Sequence, residues 1–130
     1  MSDYVELTIP ASAEYLSLAR LHVGAIATRI DMTIDELEDL QLAVEELCLT
    51  LLDPPPVAQS RLVVAVTWAD DAVEVTCRLD AAGSGPTVAA SGTLPAALSA
   101  RILDALVDDH GTESGRAWLR KRREQRPSAQ

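Results

Sequence analysis

The stretch R-L-V-V-A-V-T-W-A-D-D-A-V-E-V-T-C-R-L, residues 61 to 79, holds two β-branched runs, 61–68 and 72–79, separated by Ala69-Asp70-Asp71. Branching at Cβ favours extended backbone, and a short acidic break between two such runs is the form of a tight hairpin. An antiparallel pair is therefore the centre of the fold. The flanking sequence decides what covers it.

Upstream, Pro54-Pro55-Pro56 imposes an extended connector, because each proline fixes φ and removes a donor. Before it, Thr33 and Glu36 form T-x-x-E, a capping box that starts a helix. Asp35, Glu36, Glu38 and Asp39 crowd its N-terminal end, where the helix dipole favours acids. At 100° per residue, Ile34, Leu37, Leu40, Val44, Leu47, Cys48 and Leu51 share one broad apolar face. Glu46 falls nearly opposite, with Asp39, Ala43 and Thr50 alongside. Earlier still, Y-V-E-L-T-I (4–9) alternates as a strand and stops at Pro10. Ser12 is a candidate N-cap for a first helix of about 18 residues, with apolar positions from Leu16 to Ile30.

Downstream, the small residues of 81–93 read as a loop or lid, and 94–107 resumes a helical pattern through Leu98, Ile102, Ala105 and Leu106. Gly111 and Gly115 bracket a turn, and R-A-W-L-R-K-R (116–122) reads as a last strand with basic residues outward, alternating with Trp118. The order β-α-α-β-β-α-β predicts an α+β two-layer sandwich, a largely antiparallel sheet with helices on one face. It occupies residues 1–122 as a single domain, and 123–130 read as a basic, disordered tail.

The 130-residue chain is one domain's worth and buries roughly two-thirds of its unfolded surface. With no Phe and 3% aromatics, it lacks a stacking platform for bases. Residues 1–115 carry 19 acidic against 5 basic residues, while 116–130 carry 1 against 6. An acidic body repels phosphate backbones and suits basic protein surfaces, so no direct nucleic-acid partner is expected. R-K-R-R (120–123) reads as a solubilising strand end. Cys48 and Cys77 have no metal or redox spacing and read as buried thiols. Asp108-Asp109-His110 reads as a polar helix end, since adjacent residues rarely converge on one ion. No metal site is expected. No leader or long apolar run is visible, so the expectation is a cytoplasmic chain with no membrane partner.

The segment A-V-E-E-L-C-L-T-L-L (43–52) places Glu46 and Thr50 at (i, i+4) in an apolar run. Together with P-A-S-A-E-Y-L-S-L-A-R (10–20), I-D-E-L-E-D-L-Q-L-A-V-E-E-L-C (34–48) and A-R-I-L-D-A-L-V-D (100–108), it resembles the bacterial anti-sigma regulatory factors of the GHKL (histidine kinase-like) ATPase superfamily. These are small serine kinases that sequester sigma factors, and the likeness runs over about residues 4–121. Active members carry E-A-x-T-N-A on the second helix, where the glutamate polarises the attacking hydroxyl and the asparagine holds Mg²⁺. The resemblance implies that Glu46 keeps the base position and Thr50 replaces the asparagine. The family's D-x-G box matches Asp80-Ala81-Ala82-Gly83 with one residue too many before Gly83, and its G-x-G-L box matches Ala97-Leu98-Ser99-Ala100 with both glycines gone. The implied ATP site, Thr50, Asp80, Gly83 and Ser99, is thus degenerate, and added Cβ atoms crowd the phosphates.

The resemblance implies an anti-sigma factor that holds an alternative sigma factor and is relieved by a STAS-type anti-anti-sigma antagonist, as a homodimer, with nucleotide binding weak or lost. No cofactor is expected on that reading. The alternative is an active serine kinase using Mg-ATP with Glu46 as base, and a third is an interaction module with no sigma partner. Arg20 is either a surface cation paired with Glu14 or an acid of the second helix, or, with Glu14, part of the partner contact that the resemblance implies.

Overall fold

The computed structural model describes residues 3–53, 55–69, 71–80, 96–113 and 115–123. Strand β1 (Asp3–Pro10) leads through a 3₁₀ turn (Ala13–Tyr15) into α1 (Leu16–Arg29), followed by α2 (Ile34–Leu51). The hairpin strands are β2 (Arg61–Ala69) and β3 (Ala72–Asp80), and then come α3 (Ala96–Leu106), β4 (Asp109–Glu113) and β5 (Arg116–Arg122). The sheet is five-stranded, in the order β1-β2-β3-β5-β4, and every pairing is antiparallel.

The central hairpin is as the β-branched runs imply, with Ala69 opposite Ala72 and Val64 opposite Cys77. Residues opposite each other share a face. Leu7, Val64, Cys77 and Ala117 thus form one inward row, and Val5, Val66, Val75 and Leu119 the next. Most of these are fully buried beneath the helices. From above, Val23 and Ala27 of α1 and Leu40, Val44, Leu47 and Cys48 of α2 complete the core.

The capping box at α2 is present in both directions: Thr33 Oγ1 accepts from the Glu36 N–H at 3.1 Å, and Glu36 Oε1 accepts from the Thr33 N–H at 2.7 Å. Asp31 makes the sharp connection from α1 with φ 61, a left-handed conformation that a short polar side chain tolerates.

Three expectations change. Ser12 makes no side-chain cap, and the chain enters through the 3₁₀ turn, so α1 has 14 residues. Gly111 is not at a turn but inside β4, an edge strand of polar residues held by pairing with β5. A Cβ on Gly111 would lie 2.6 Å from Trp118 Nε1, so only glycine lets the indole lie across the neighbouring strand. Trp118 therefore shares the outer face with Arg116, Arg120 and Arg122, and it is Lys121 that points inward with Ala117 and Leu119.

Lys121 has a structural reason to be there. Its Nζ donates to the carbonyl of Leu106, the last residue of α3, at 2.8 Å and lies 4.0 Å from Asp39 of α2. Arg123 does the same at another helix end: Nη1 donates to the Ile30 carbonyl, just past α1, at 3.1 Å. Two residues of the basic run R-K-R-R thus satisfy helix C-terminal carbonyls, where positive charge is favoured. Arg123 is also tied through its N–H to the Asp71 carbonyl, and residues 124–130 lie outside the described residues.

Replacing Lys121 by Met keeps the apolar stem but leaves the Leu106 carbonyl without its donor. Urea denaturation should show a loss of about 1–2 kcal/mol, against less than about 0.5 kcal/mol for the outward-facing Arg120→Met.

Candidate functional site

Helix α2 runs along the middle of the helical layer, with α1 on one side and α3 on the other. The burial pattern places Leu40, Ala43, Val44, Leu47 and Cys48 in the core, and it is Leu42 and Leu49 that are exposed. Glu46 is only partly exposed and faces the seam with α3 rather than open water.

There, Ser99 Oγ of α3 donates to Glu46 Oε2 at 2.6 Å. Thr50 Oγ1 donates to the Glu46 main-chain carbonyl at 2.9 Å, the back-bonding that threonine commonly makes one turn up a helix. The two hydroxyl oxygens are 3.2 Å apart. Each hydroxyl carries one proton, so the three contacts share two protons. With both protons donated to Glu46, the Thr50–Ser99 contact has none. The (i, i+4) pair is therefore part of a closed Glu46–Thr50–Ser99 cluster between two helices.

This cluster does not fit a Mg²⁺–triphosphate group well. Thr50 lacks the amide oxygen of the matched asparagine and offers only a hydroxyl on a shorter arm, held against its own helix by the bond to the Glu46 carbonyl. The Glu46 carboxylate already holds a serine of its own chain at the distance an incoming hydroxyl would take. No group of three His, Cys, Asp or Glu able to hold a metal occurs among the described residues.

Of the other expected site residues, those among the described residues take these positions. Asp80 is exposed at the end of β3, opposite Arg61, and Gly83, with the loop 81–93, lies outside the described residues. Arg20 Nη1 lies 3.9 Å from Glu45 of α2, both partly exposed, so this ion pair contributes at most about 1 kcal/mol. Glu14 stands exposed on the 3₁₀ turn. Asp109 and His110 open β4 instead of closing α3, and His110 Nε2 lies 2.7 Å from Asp104 Oδ1.

Two groups near the centre are shaped by burial. Cys48 Sγ and Cys77 Sγ lie 3.6 Å apart, both free and fully buried. The contact with Cys48, and then burial, push the Cys77 thiol well above its usual range. His22 of α1 has a buried Nε2 with no hydrogen-bond partner among the described residues, and burial lowers its pKa, with the Val64 backbone partly offsetting. Sequence reading passed over His22 because a single histidine in a helix carries no spacing signal.

No protein-family profile matches the chain. It is 45% identical over 47 residues to the serine-protein kinase RsbW of Bacillus subtilis, covering 36% of this chain and 29% of that protein. With the anti-sigma-F factor RsbW of Mycobacterium tuberculosis it shares 39% identity over 106 residues, 81% of this chain and 58% of that one. The chain thus spans between 29% and 58% of the length of these relatives. Among solved structures, the RsbU and RsbW domains of a Mycobacterium tuberculosis protein superpose with a TM-score of 0.64 at 15% identity, covering 97% of this chain and 34% of that one. That likeness shows the fold.

Two measurements check the site. Ser99→Ala should cost about 1–2 kcal/mol in urea denaturation, and a double-mutant cycle with Glu46→Gln should return a clear coupling energy; purely additive effects would contradict the contact. For His22, the folded state disfavours the proton, so the unfolded chain binds more protons below the ordinary value of 6.5. Its contribution to stability is present above that value and is lost as pH falls below it. The melting temperature of His22→Gln should therefore fall less steeply with acidification than that of the unsubstituted chain.

Proposed function

We propose that this chain, similar in sequence to serine-protein kinases and an anti-sigma factor named RsbW and in fold to an RsbW-containing structure, is an anti-sigma factor of the GHKL fold working without nucleotide. It binds and holds an alternative sigma factor in the cytoplasm, as a homodimer, until a STAS-type antagonist displaces it. The observation that carries this reading is the Ser99–Glu46 hydrogen bond at 2.6 Å. Phosphoryl transfer depends on positioning and metal electrostatics, and here the base position is taken by an internal hydroxyl and the metal-holding amide is a threonine. Binding, by contrast, needs only a surface. The acidic body provides one suited to basic partners.

A second reading rests on Glu46 itself. A glutamate in the base position that the resemblance implies, in a chain similar to a named serine-protein kinase, supports residual Mg-ATP-dependent phosphorylation of the antagonist. In that reading Thr50 and Ser99 move aside when nucleotide enters.

The two readings separate in a reconstitution with the sigma factors of the host and radiolabelled ATP. The binding reading predicts a sigma complex on gel filtration without nucleotide and no label on any STAS protein. Labelled STAS protein that disappears with Glu46→Gln would establish the kinase instead. Failure of every host sigma factor to bind would remove the anti-sigma reading.

A further inference from the structure

The seam between α2 and α3 opens outward as a groove of about 430 Å³, lined by Leu42, Glu45, Glu46 and Leu49 of α2 and by Ile102, Ala105 and Leu106 of α3. Its apolar residues are partly open to solvent: Leu42 is 53% exposed, Leu49 39% and Ile102 38%, with Leu98 at 47% one turn before Ile102. Leu42 and Leu49 are seven residues apart, two helical turns on one face, and the same spacing logic joins Leu98 to Ile102. The apolar strip therefore runs along the helices for about 10 Å.

The charges along this strip have one predominant sign. Glu38, exposed, and Glu45, partly exposed, stand along α2 before and after Leu42, and Glu46 lies at the wall. Two cations stand against them: Arg20 of α1, which pairs with Glu45, and the exposed Arg101, next to Ile102 on α3. An open trough with leucines at helical spacing and carboxylates on its rim is unlike a small-molecule site, which is enclosed and has converging polar groups. It has the form of a helix-in-groove surface.

We propose that the α2–α3 groove is a docking site for an amphipathic helix of a partner protein, one whose apolar ridge meets Leu42, Leu49 and Ile102 and whose basic flanks meet Glu38 and Glu45. The charge of the rim selects the partner: lysine or arginine beside the ridge is attracted, and an acidic helix is turned away. Glu46, which accepts from Ser99, also lines the groove, so an occupant would lie beside that contact. This surface does not depend on the partner being a sigma factor.

The probe is a fluorescent helical peptide with leucines at i, i+3, i+4 and i+7 and lysines on both flanks, compared with the same peptide carrying glutamates in place of the lysines. Anisotropy titrations at low salt should show the lysine peptide binding and the glutamate peptide not. Leu42→Gln with Leu49→Gln, both at exposed positions, should weaken the lysine peptide by about tenfold or more at an unchanged melting temperature. Glu45→Lys should shift the preference toward the glutamate peptide. Equal binding of the lysine peptide to the leucine variant would mean nonspecific attraction to an acidic body and would overturn the proposal. So would absence of binding, or a self-associated chain in sedimentation that dissociates on Leu49→Gln, since the groove would then be filled by a second copy.

Discussion

A helix lying on a sheet can bury one side, and α2 is held on more than one. Its Leu40, Val44, Leu47 and Cys48 side is clamped onto the inward rows of β3 and β5, with Cys48 set against Cys77. Its Thr33–Glu36 box fixes where it begins, and Gln41 donates to the Arg20 carbonyl of α1. The remaining flank meets α3 through Ser99. Because the core fixes the rotation of α2, Glu46 must point at that seam, and Leu42 and Leu49 must point outward. The closed cluster and the open groove both follow from this one orientation.

Where two glycines are expected at the start of a late helix, this chain has Ala97 and Ser99. A glycine there leaves space and bare N–H groups, whereas a serine fills space and donates a proton. The donated proton finds the nearest strong acceptor, the carboxylate of Glu46. Thr50 completes the closure by bonding back to its own helix rather than reaching outward. The helical layer gains a polar tie between α2 and α3.

Much of the fold was legible because it rests on local patterns. The β-branched runs of 61–79, the proline stop at 10 and the T-x-x-E box each act within a few residues, and each is present in the structure. What was not legible depends on distant partners. Strand β4, with the residues D-H-G-T-E, has no strand-forming pattern of its own and exists because β5 offers an edge to pair with. Lys121 and Arg123 look like a solubilising run until α1 and α3 bring their C-terminal carbonyls alongside. On the helical wheel Glu46 falls opposite the apolar face, and its partner Ser99 is not visible there because α3 is separated from α2 by a long stretch of sequence. Leu42 and Leu49 were the signal available for the groove, two leucines at (i, i+7) outside the stripe assigned to the core.

The central claim is that the Glu46–Thr50–Ser99 cluster closes the place where a nucleotide would bind. Isothermal titration calorimetry of the chain with Mg-ATP tests it most directly. The account predicts no binding heat at micromolar to high-micromolar nucleotide, with weak binding emerging only when Ser99→Gly and Thr50→Asn are combined to reopen the seam. Micromolar affinity of the unsubstituted chain, unaffected by those two substitutions, would contradict it.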